Sequence, residues 1–226
     1  GGLYLFSNLW QGQYFIHLFN ADAALAGTYS IDINETPVVG GGGGSAGPHG
    51  QNGTFNSILY DKNDNLNFVW FDSANGVLKF AKRDSAKVWG TTQVIDNGAK
   101  TGNFVSMALD SQGHAGVAYY DAGQADLKYA HFNGSSWDVQ TVDSTNTTGY
   151  YPSLKFDNSD QPVIAYYNKT RGNLNFATHS GSQWSISTID SVGDVGRYPS
   201  LALNTSTGRW SVAYENTGGG AFKYAA

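Results

Sequence analysis

The chain is 226 residues long, carries 13 basic against 18 acidic side chains for a net charge of −5, and contains no cysteine. That excludes disulfides, thiolate chemistry and Cys-ligated metal, and the absence of any Lys/Arg cluster removes the electrostatic footprint of a nucleic-acid binder. Gly 29 and 14% aromatic content beside only 14% charged residues describe a turn-rich all-β chain, unlike a helical bundle or a disordered tail.

No run approaches the roughly 18 apolar residues of a membrane span. The opening "GGLYLFSNLW" lacks the basic start and small-residue cleavage site of a signal peptide, as a mature or trimmed chain would. Six Asn-x-Ser/Thr sites, at Asn34, Asn52, Asn133, Asn146, Asn168 and Asn204, suit an extracellular surface, although this composition also creates them by chance.

Internal repetition organises the sequence. Gly-x-Tyr/Phe recurs at Gly53 to Phe55, Gly102 to Phe104, Gly149 to Tyr151 and Gly196 to Tyr198, with spacings of 49, 47 and 47. The first 52 residues are a degenerate copy. They keep Gly2 and Tyr4, a second-strand segment "FIHLFN", a third-strand segment "GTYSIDIN" and a remnant "TPVV", and end in the loop "GGGGGSAGPHGQNG". A rival alignment matches "YSIDINETPVV" to "YPSLKFDNSDQPVI"; the first preserves the period better. The run Gly40 to Gly44 is a connector, because no Lys-Ser/Thr follows it as a phosphate loop requires.

Within each later repeat the pattern predicts four strands. "NSILYD", "VSMALD", "PSLKFD" and "PSLALN" read as first strands. A polar turn leads to "FVWFD", "VAYYD", "IAYYN" and "VAYEN", second strands apolar on both faces and so buried. "VLKFAK", "DLKYAH", "NLNFAT" and "AFKYAA" alternate as third strands, and Trp89, Trp137 and Trp184 open a more polar, outer fourth strand. The last repeat stops after its third strand.

A unit of about 47 residues with four antiparallel strands predicts a β-propeller blade; a β-sandwich does not repeat its own sequence in this way. The expectation is an all-β, five-bladed β-propeller in a single domain. Its units are 1–52, 53–101, 102–148, 149–195 and 196–226, the first degenerate and the last incomplete. The pattern Tyr-Pro-Ser-Leu-x-x-Asp, Ala-Tyr-Tyr-Asp/Asn, Leu-Lys-Tyr-Ala and Trp, running from Tyr151 to Trp184 and again from Tyr198 to Ala225, resembles the repeats of secreted bacterial sialidase-like or BNR-like propellers. The resemblance covers about three quarters of the chain. It implies architecture, and is shared by lectins, glycosidases and structural modules alike. The sialidase Asp box in the form Ser-x-Asp-x-Gly-x-Thr-Trp does not occur.

In such a blade the loop leading into the first strand and the turn between the second and third strands open on one face. That face would carry Tyr150, Tyr151, Arg197 and Tyr198 from the loops, with Asp72, Asp121, Asn168, Asn216 and Asn20 at the second-strand ends and Arg171 close by. Aromatic platforms beside carboxylates and amides suit a sugar, whose C–H face stacks while its hydroxyls need donors and acceptors. The bland alternative is that Asp and Asn cap turns while the tyrosines pack between blades.

Catalysis needs residues that break the repeat. Glu215 replaces the tyrosine of sister repeats, and pairing it with Asp121 or Asp72 is the sole route to the two carboxylates of a glycosidase. Of the arginines, Arg83, Arg171, Arg197 and Arg209, none are matched as a sialidase triad. The five histidines share no ligand spacing, and "DKNDN", "DSQGH" and "DNSDQ" lack the distal Glu of a calcium loop, so no metal and no cofactor is expected. The reading is a secreted or surface lectin-like propeller for a glycan or other small polar ligand. A glycoside hydrolase, or a structural subunit with a protein partner, is the alternative.

Overall fold

The computed structural model describes residues 3–5, 16–18 and 53–226 apart from residue 99. The chain divides into two compact units, Gly1–Gly44 and Ser45–Ala226. In the first, β1 (Leu3–Leu5) pairs antiparallel with β2 (Ile16–Leu18), Tyr4 opposite His17. The remaining strands expected in residues 1–52, Asn20 and the Gly40 to Gly44 run lie outside the described residues.

The second unit is a series of antiparallel meanders. Sheet I contains β3 (Gly53–Tyr60), β4 (Leu66–Asp72), β5 (Val77–Arg83) and β6 (Gln93–Asp96). Sheet II contains β7 (Thr101–Leu109), β8 (Ala115–Asp121), β9 (Asp126–Phe132) and β10 (Trp137–Asp143). Sheet III contains β11 (Tyr150–Phe156), β12 (Pro162–Asn168), β13 (Asn173–Ser180) and β14 (Gln183–Asp190). Sheet IV has three strands, β15 (Val195–Asn204), β16 (Arg209–Asn216) and β17 (Ala221–Ala225). Among the described residues no helix occurs, and so none is long and apolar enough to cross a membrane.

The four-strand reading therefore holds for sheets I to III, with one adjustment. In sheet I the fourth strand begins only at Gln93, and Trp89 makes a single bridge to Arg83. The second strands β8 and β12 are buried at every residue, as their two-faced apolar pattern demands, whereas β14 is mostly exposed, as an outer strand should be.

Successive sheets are joined by a repeated set of contacts. Glycine sets their separation: a Cβ built on Gly149 would lie 2.6 Å from Leu127 Cα, and one on Gly196 would lie 2.6 Å from Leu174 Cα. The start of the first strand in sheets III and IV is thus pressed backbone-first onto the third strand of the sheet before it, while in sheet II Gly102 meets the Leu78 side chain. Beside this contact, the Ser106 hydroxyl accepts from Leu154 N–H and that of Ser153 from Leu201 N–H, both at 3.0 Å.

Farther out, a second-strand tyrosine reaches back to the aspartate that ends the preceding fourth strand. Tyr119 donates to Asp96 at 2.6 Å, Tyr166 to Asp143 at 2.7 Å and Tyr214 to Asp190 at 2.8 Å. Burial and the adjacent carboxylate push all three phenols above their ordinary value, Tyr214 to about 12, so they act as fixed donors. At the rim, Trp137 Nε1 donates to Gln93 Oε1 at 2.7 Å and Trp184 Nε1 to Gln140 Oε1 at 3.0 Å. The repeat persists because each copy must satisfy the same neighbours.

A test of this spacing is Gly149→Ala. The added methyl meets backbone at a positive φ of 89°, so a loss of roughly 3 kcal/mol is expected in urea unfolding. Gly181→Ala, with φ 65° but nothing within 4 Å, should cost only about 1 kcal/mol; equal losses would contradict the packing account.

Candidate functional site

The loops leading into the first strands run between successive second-to-third-strand turns. Thr148 N–H donates to Ala125 C=O at 3.0 Å while Thr147 C=O accepts from Thr170 N–H at 3.2 Å; Val195 N–H and Asp194 C=O repeat this with Gly172 and Thr217. Linkers and turns therefore share one end of the sheets, the arrangement that the sequence reading assumed. At the other end, Asp61, Asp110 and Asp157 fold their Oδ1 onto amides of their own hairpins, at 2.9 Å to Asn63, 3.0 Å to Gln112 and 2.7 Å to Ser159. The calcium-like stretches are Asx turns.

On the linker face the Gly-x-Tyr/Phe triplets create one unusual feature. Phe55, Phe104, Tyr151 and Tyr198 all have φ between 50° and 54°, and each sits where the pairing of first and second strands slips by a residue. A bulge of this kind re-aims a side chain out of the ladder. Here it turns four aromatic rings toward one another: Phe55 to Phe104 at 4.7 Å, Phe104 to Tyr151 at 4.5 Å and Tyr151 to Tyr198 at 4.1 Å. The column ends in Tyr198, 60% exposed. Left-handed backbone at an aromatic residue costs about 1–3 kcal/mol, and its repetition marks the column as a built feature.

Polar groups gather around it. The residue between glycine and aromatic lies on the second-strand aromatic of the sheet before: Tyr150 against Tyr120 at 4.3 Å, and the Arg197 guanidinium 5.3 Å from the Tyr167 ring centre. Asp194 ties this corner, accepting from Tyr167 Oη at 2.6 Å and Arg197 Nη2 at 2.8 Å. The Tyr167 hydrogen bond, with help from Thr217 and Arg197, holds Asp194 below the usual carboxylate range despite its desolvation. Burial, then Tyr198, pushes Tyr151 up to about 12, so its phenol stays neutral at physiological pH. Lys169 Nζ lies 5.0 Å from the Tyr150 ring centre. Among the described residues the side chains of Arg171, exposed, and Glu215, half-buried, make no hydrogen bond or ion pair.

The second-strand ends differ from this. Asp72 and Asp121, 3% and 2% exposed, are saturated. Asp72 accepts from the amides of Ala74 and Asn75 and from Lys79 Nζ at 2.6 Å; Asp121 accepts from the amides of Gly123 and Gln124 and from Lys128 Nζ at 3.0 Å. Asn168 is buried, with Oδ1 on Arg171 N–H at 3.0 Å, and Asn216 sits half-buried beside Gly219. These groups shape the turns beneath the face. The structure thus brings Tyr150, Tyr151, Arg197 and Tyr198 together on the surface and sets Asp72, Asp121 and Asn168 under it. The sequence reading missed Asp194, Lys169, Phe104, Tyr120 and Tyr167. Asp194, two residues before Gly196 and without an acidic counterpart before Gly102 or Gly149, was visible as a break in the repeat.

No protein-family model matches this sequence, and no curated protein matches it either. Among solved structures, it is similar to a protein of unknown function from Dyadobacter fermentans, at 14% identity and a TM-score of 0.56, over 74% of this chain and 50% of that one. A Hadza microbial sialidase aligns at 12% identity and a TM-score of 0.53, over 75% and 43%. A triple-arginine mutant of AofleA from Arthrobotrys oligospora aligns at 10% identity and a TM-score of 0.50, over 70% and 48%. The fold is that of sialidase-like β-propeller proteins. The chain spans about half or less of the length of these structures.

The buried carboxylates give a pH signature. Lys79 foremost, then Asn75, lowers Asp72 from 3.8 to about 2 against the opposing effect of burial. A depressed folded value means that the ion contributes stability above the ordinary carboxylate range and loses it as pH falls from about 4 to 2. Asp61 and Asp190 act in the same direction, whereas Asp126 is raised, first by burial and then by Asp121, and opposes them. Urea midpoints should therefore drop between pH 4 and 2, with a shallower drop in Asp72→Asn; an identical slope in that variant would contradict the assignment.

Proposed function

We propose that this protein is a secreted or surface-exposed propeller that binds carbohydrate on its linker face. The count of five repeats, with residues 1–52 as the first, belongs to the same reading. The observation that carries it is the aromatic column that ends in the exposed Tyr198 ring, bordered by Arg197, Asp194 and Lys169. A sugar offers a C–H face to an aromatic ring and hydroxyls to donors and acceptors at its edge, and this surface supplies both. The structural resemblance to a sialidase supports the fold on which such a face is built.

Binding is favoured over hydrolysis because the two carboxylates that the sequence reading paired with Glu215 are occupied. Asp72 and Asp121 are held by Lys79 and Lys128 and by turn amides, so neither is free to act as nucleophile or base. The deciding experiment is a glycan array followed by calorimetry. Tyr198→Ala removes a mostly exposed ring and should weaken the best ligand by about tenfold or more, equivalent to 1.4 kcal/mol, with the unfolding transition preserved. Glu215→Gln should bind unchanged. Wild-type turnover of an aryl glycoside that Glu215→Gln abolishes would replace this reading with a hydrolase, and unaltered glycan affinity in Tyr198→Ala would remove the site.

A further inference from the structure

The turn between β12 and β13 differs in charge from its counterparts. Residues 169–171 read Lys-Thr-Arg, whereas the same three places hold Ser-Ala-Asn in sheet I, Ala-Gly-Gln in sheet II and Thr-Gly-Gly in sheet IV. In sheets I and II the carboxylates that precede these places, Asp72 and Asp121, are each bound to a third-strand lysine, Lys79 and Lys128. Sheet III has Asn168 and Asn175 instead, so no second-strand carboxylate lies beneath the turn to pair with its cations. Among the described residues neither Lys169 nor Arg171 forms an ion pair, and both are exposed.

This turn is wedged between two linkers. On one side Thr170 N–H donates to Thr147 C=O at 3.2 Å and Thr147 N–H to Thr170 Oγ1 at 3.0 Å; on the other, Val195 N–H donates to Gly172 C=O at 2.9 Å. Lys169 leans toward the first linker, its Nζ 3.5 Å from Tyr150 Oη and 5.0 Å from the centre of that ring. Arg197 stands on the second, over Tyr167. Tyr151 connects the two, its ring centre 5.9 Å from Tyr150, 6.5 Å from Tyr167 and 4.1 Å from the exposed Tyr198. The acid of this corner, Asp194, is already matched by Arg197. Glu215 takes in sheet IV the place from which Tyr120 and Tyr167 reach forward to the following linker, and so belongs to another corner. Lys169 and Arg171 therefore remain as uncompensated positive charges, in a chain whose net charge is −5.

We propose that the glycan taken by the linker face is an acidic polysaccharide, with carboxylate or sulfate on successive residues, and that Lys169 and Arg171 select it. The inference rests on the carbohydrate reading above and narrows it. A sugar stacked at Tyr151 and Tyr198 presents its neighbours in the chain to Lys169 on one side and Arg197 on the other. A polymer charged at every residue satisfies that arrangement, and a sugar with a single acid does not. A guanidinium offers paired N–H groups to two oxygens of one acid group, while an ammonium acts as a point charge on a flexible stem. At an exposed face such charges contribute selectivity and a salt-sensitive share of the affinity, and stacking supplies the rest.

The test uses the full chain and two pairs of oligosaccharides that differ only in charge: oligogalacturonate with its methyl ester, and a sulfated galactan oligomer with its desulfated form. Calorimetry should show an acidic member binding about fivefold or more tighter than its neutral partner, with the advantage shrinking as salt rises. Which pair shows it identifies the acid group as carboxylate or sulfate. The double variant Lys169→Gln, Arg171→Gln should bind acidic and neutral members alike, with circular dichroism and melting curve unchanged because both side chains are exposed. Tyr198→Ala should weaken acidic and neutral members by the same factor. No binding of any oligomer, no acidic advantage in either pair, an advantage that survives in the double variant, or a monomeric uronic acid glycoside as strong as the oligomer would each overturn the inference. Where neutral and acidic oligomers bind equally and Tyr198→Ala weakens both, the carbohydrate reading stands and only the acidic preference fails; unchanged affinity in Tyr198→Ala removes both.

Discussion

How closely one sheet can lie on the next is set by the absence of a side chain. Gly149 and Gly196 bring a first strand to within the radius of a methyl group of Leu127 and Leu174, a distance that any other residue would enlarge. That approach brings Ser106 and Ser153 within hydrogen-bonding distance of the next strand, lets Tyr119, Tyr166 and Tyr214 reach aspartates of the preceding sheet, and places each rim tryptophan over its glutamine. The buried tyrosine–aspartate pairs are strong only because both partners are satisfied; a carboxylate left alone at those depths would be costly.

The same glycine positions the aromatic column. Two residues after it, the chain must turn its bulge outward, and the aromatic there takes a left-handed backbone. Four sheets repeat this, so four rings meet. The fold thereby presents a continuous apolar surface at the end of the sheets where linkers and turns supply polar atoms. Copies that are equivalent in architecture then diverge in chemistry: asparagine in sheet II, tyrosine in sheet III and arginine in sheet IV occupy the place after the glycine. In the proposed binding face, ligand preference would reside in these differences, with the shared column as the stacking surface.

Much of the architecture was legible because the repeat is a steric record. The alternation of "DLKYAH" and the two-faced apolarity of "VAYYD" gave strands in the right order, and Trp137 and Trp184 marked the start of the outer strand in sheets II and III. The site was less legible, for a physical reason. Asp72 and Asp121 look alike in sequence whether they face solvent or a lysine; the lysine, seven residues on at Lys79 and Lys128, was read only as a polar position in a strand. Likewise, a Gly-x-aromatic triplet does not announce that its ring occupies a left-handed bulge, so Phe104 was overlooked while its equivalents Tyr151 and Tyr198 were chosen. Asp194 was legible as a break in the repeat, since Lys100 and Thr147 stand at its place in the earlier copies, but its hydrogen bonds to Tyr167 and Arg197 were not.

The most direct measurement of the central claim is tyrosine-ring NMR of the ¹³C-labelled protein during titration with the glycan selected on an array. The ring signals of Tyr151 and Tyr198 should shift together with a single saturation curve, with Tyr150 responding to a smaller degree and the buried rings of Tyr119 and Tyr166 unmoved. Saturable binding that leaves Tyr151 and Tyr198 unshifted would place the ligand elsewhere and contradict the account of the linker face.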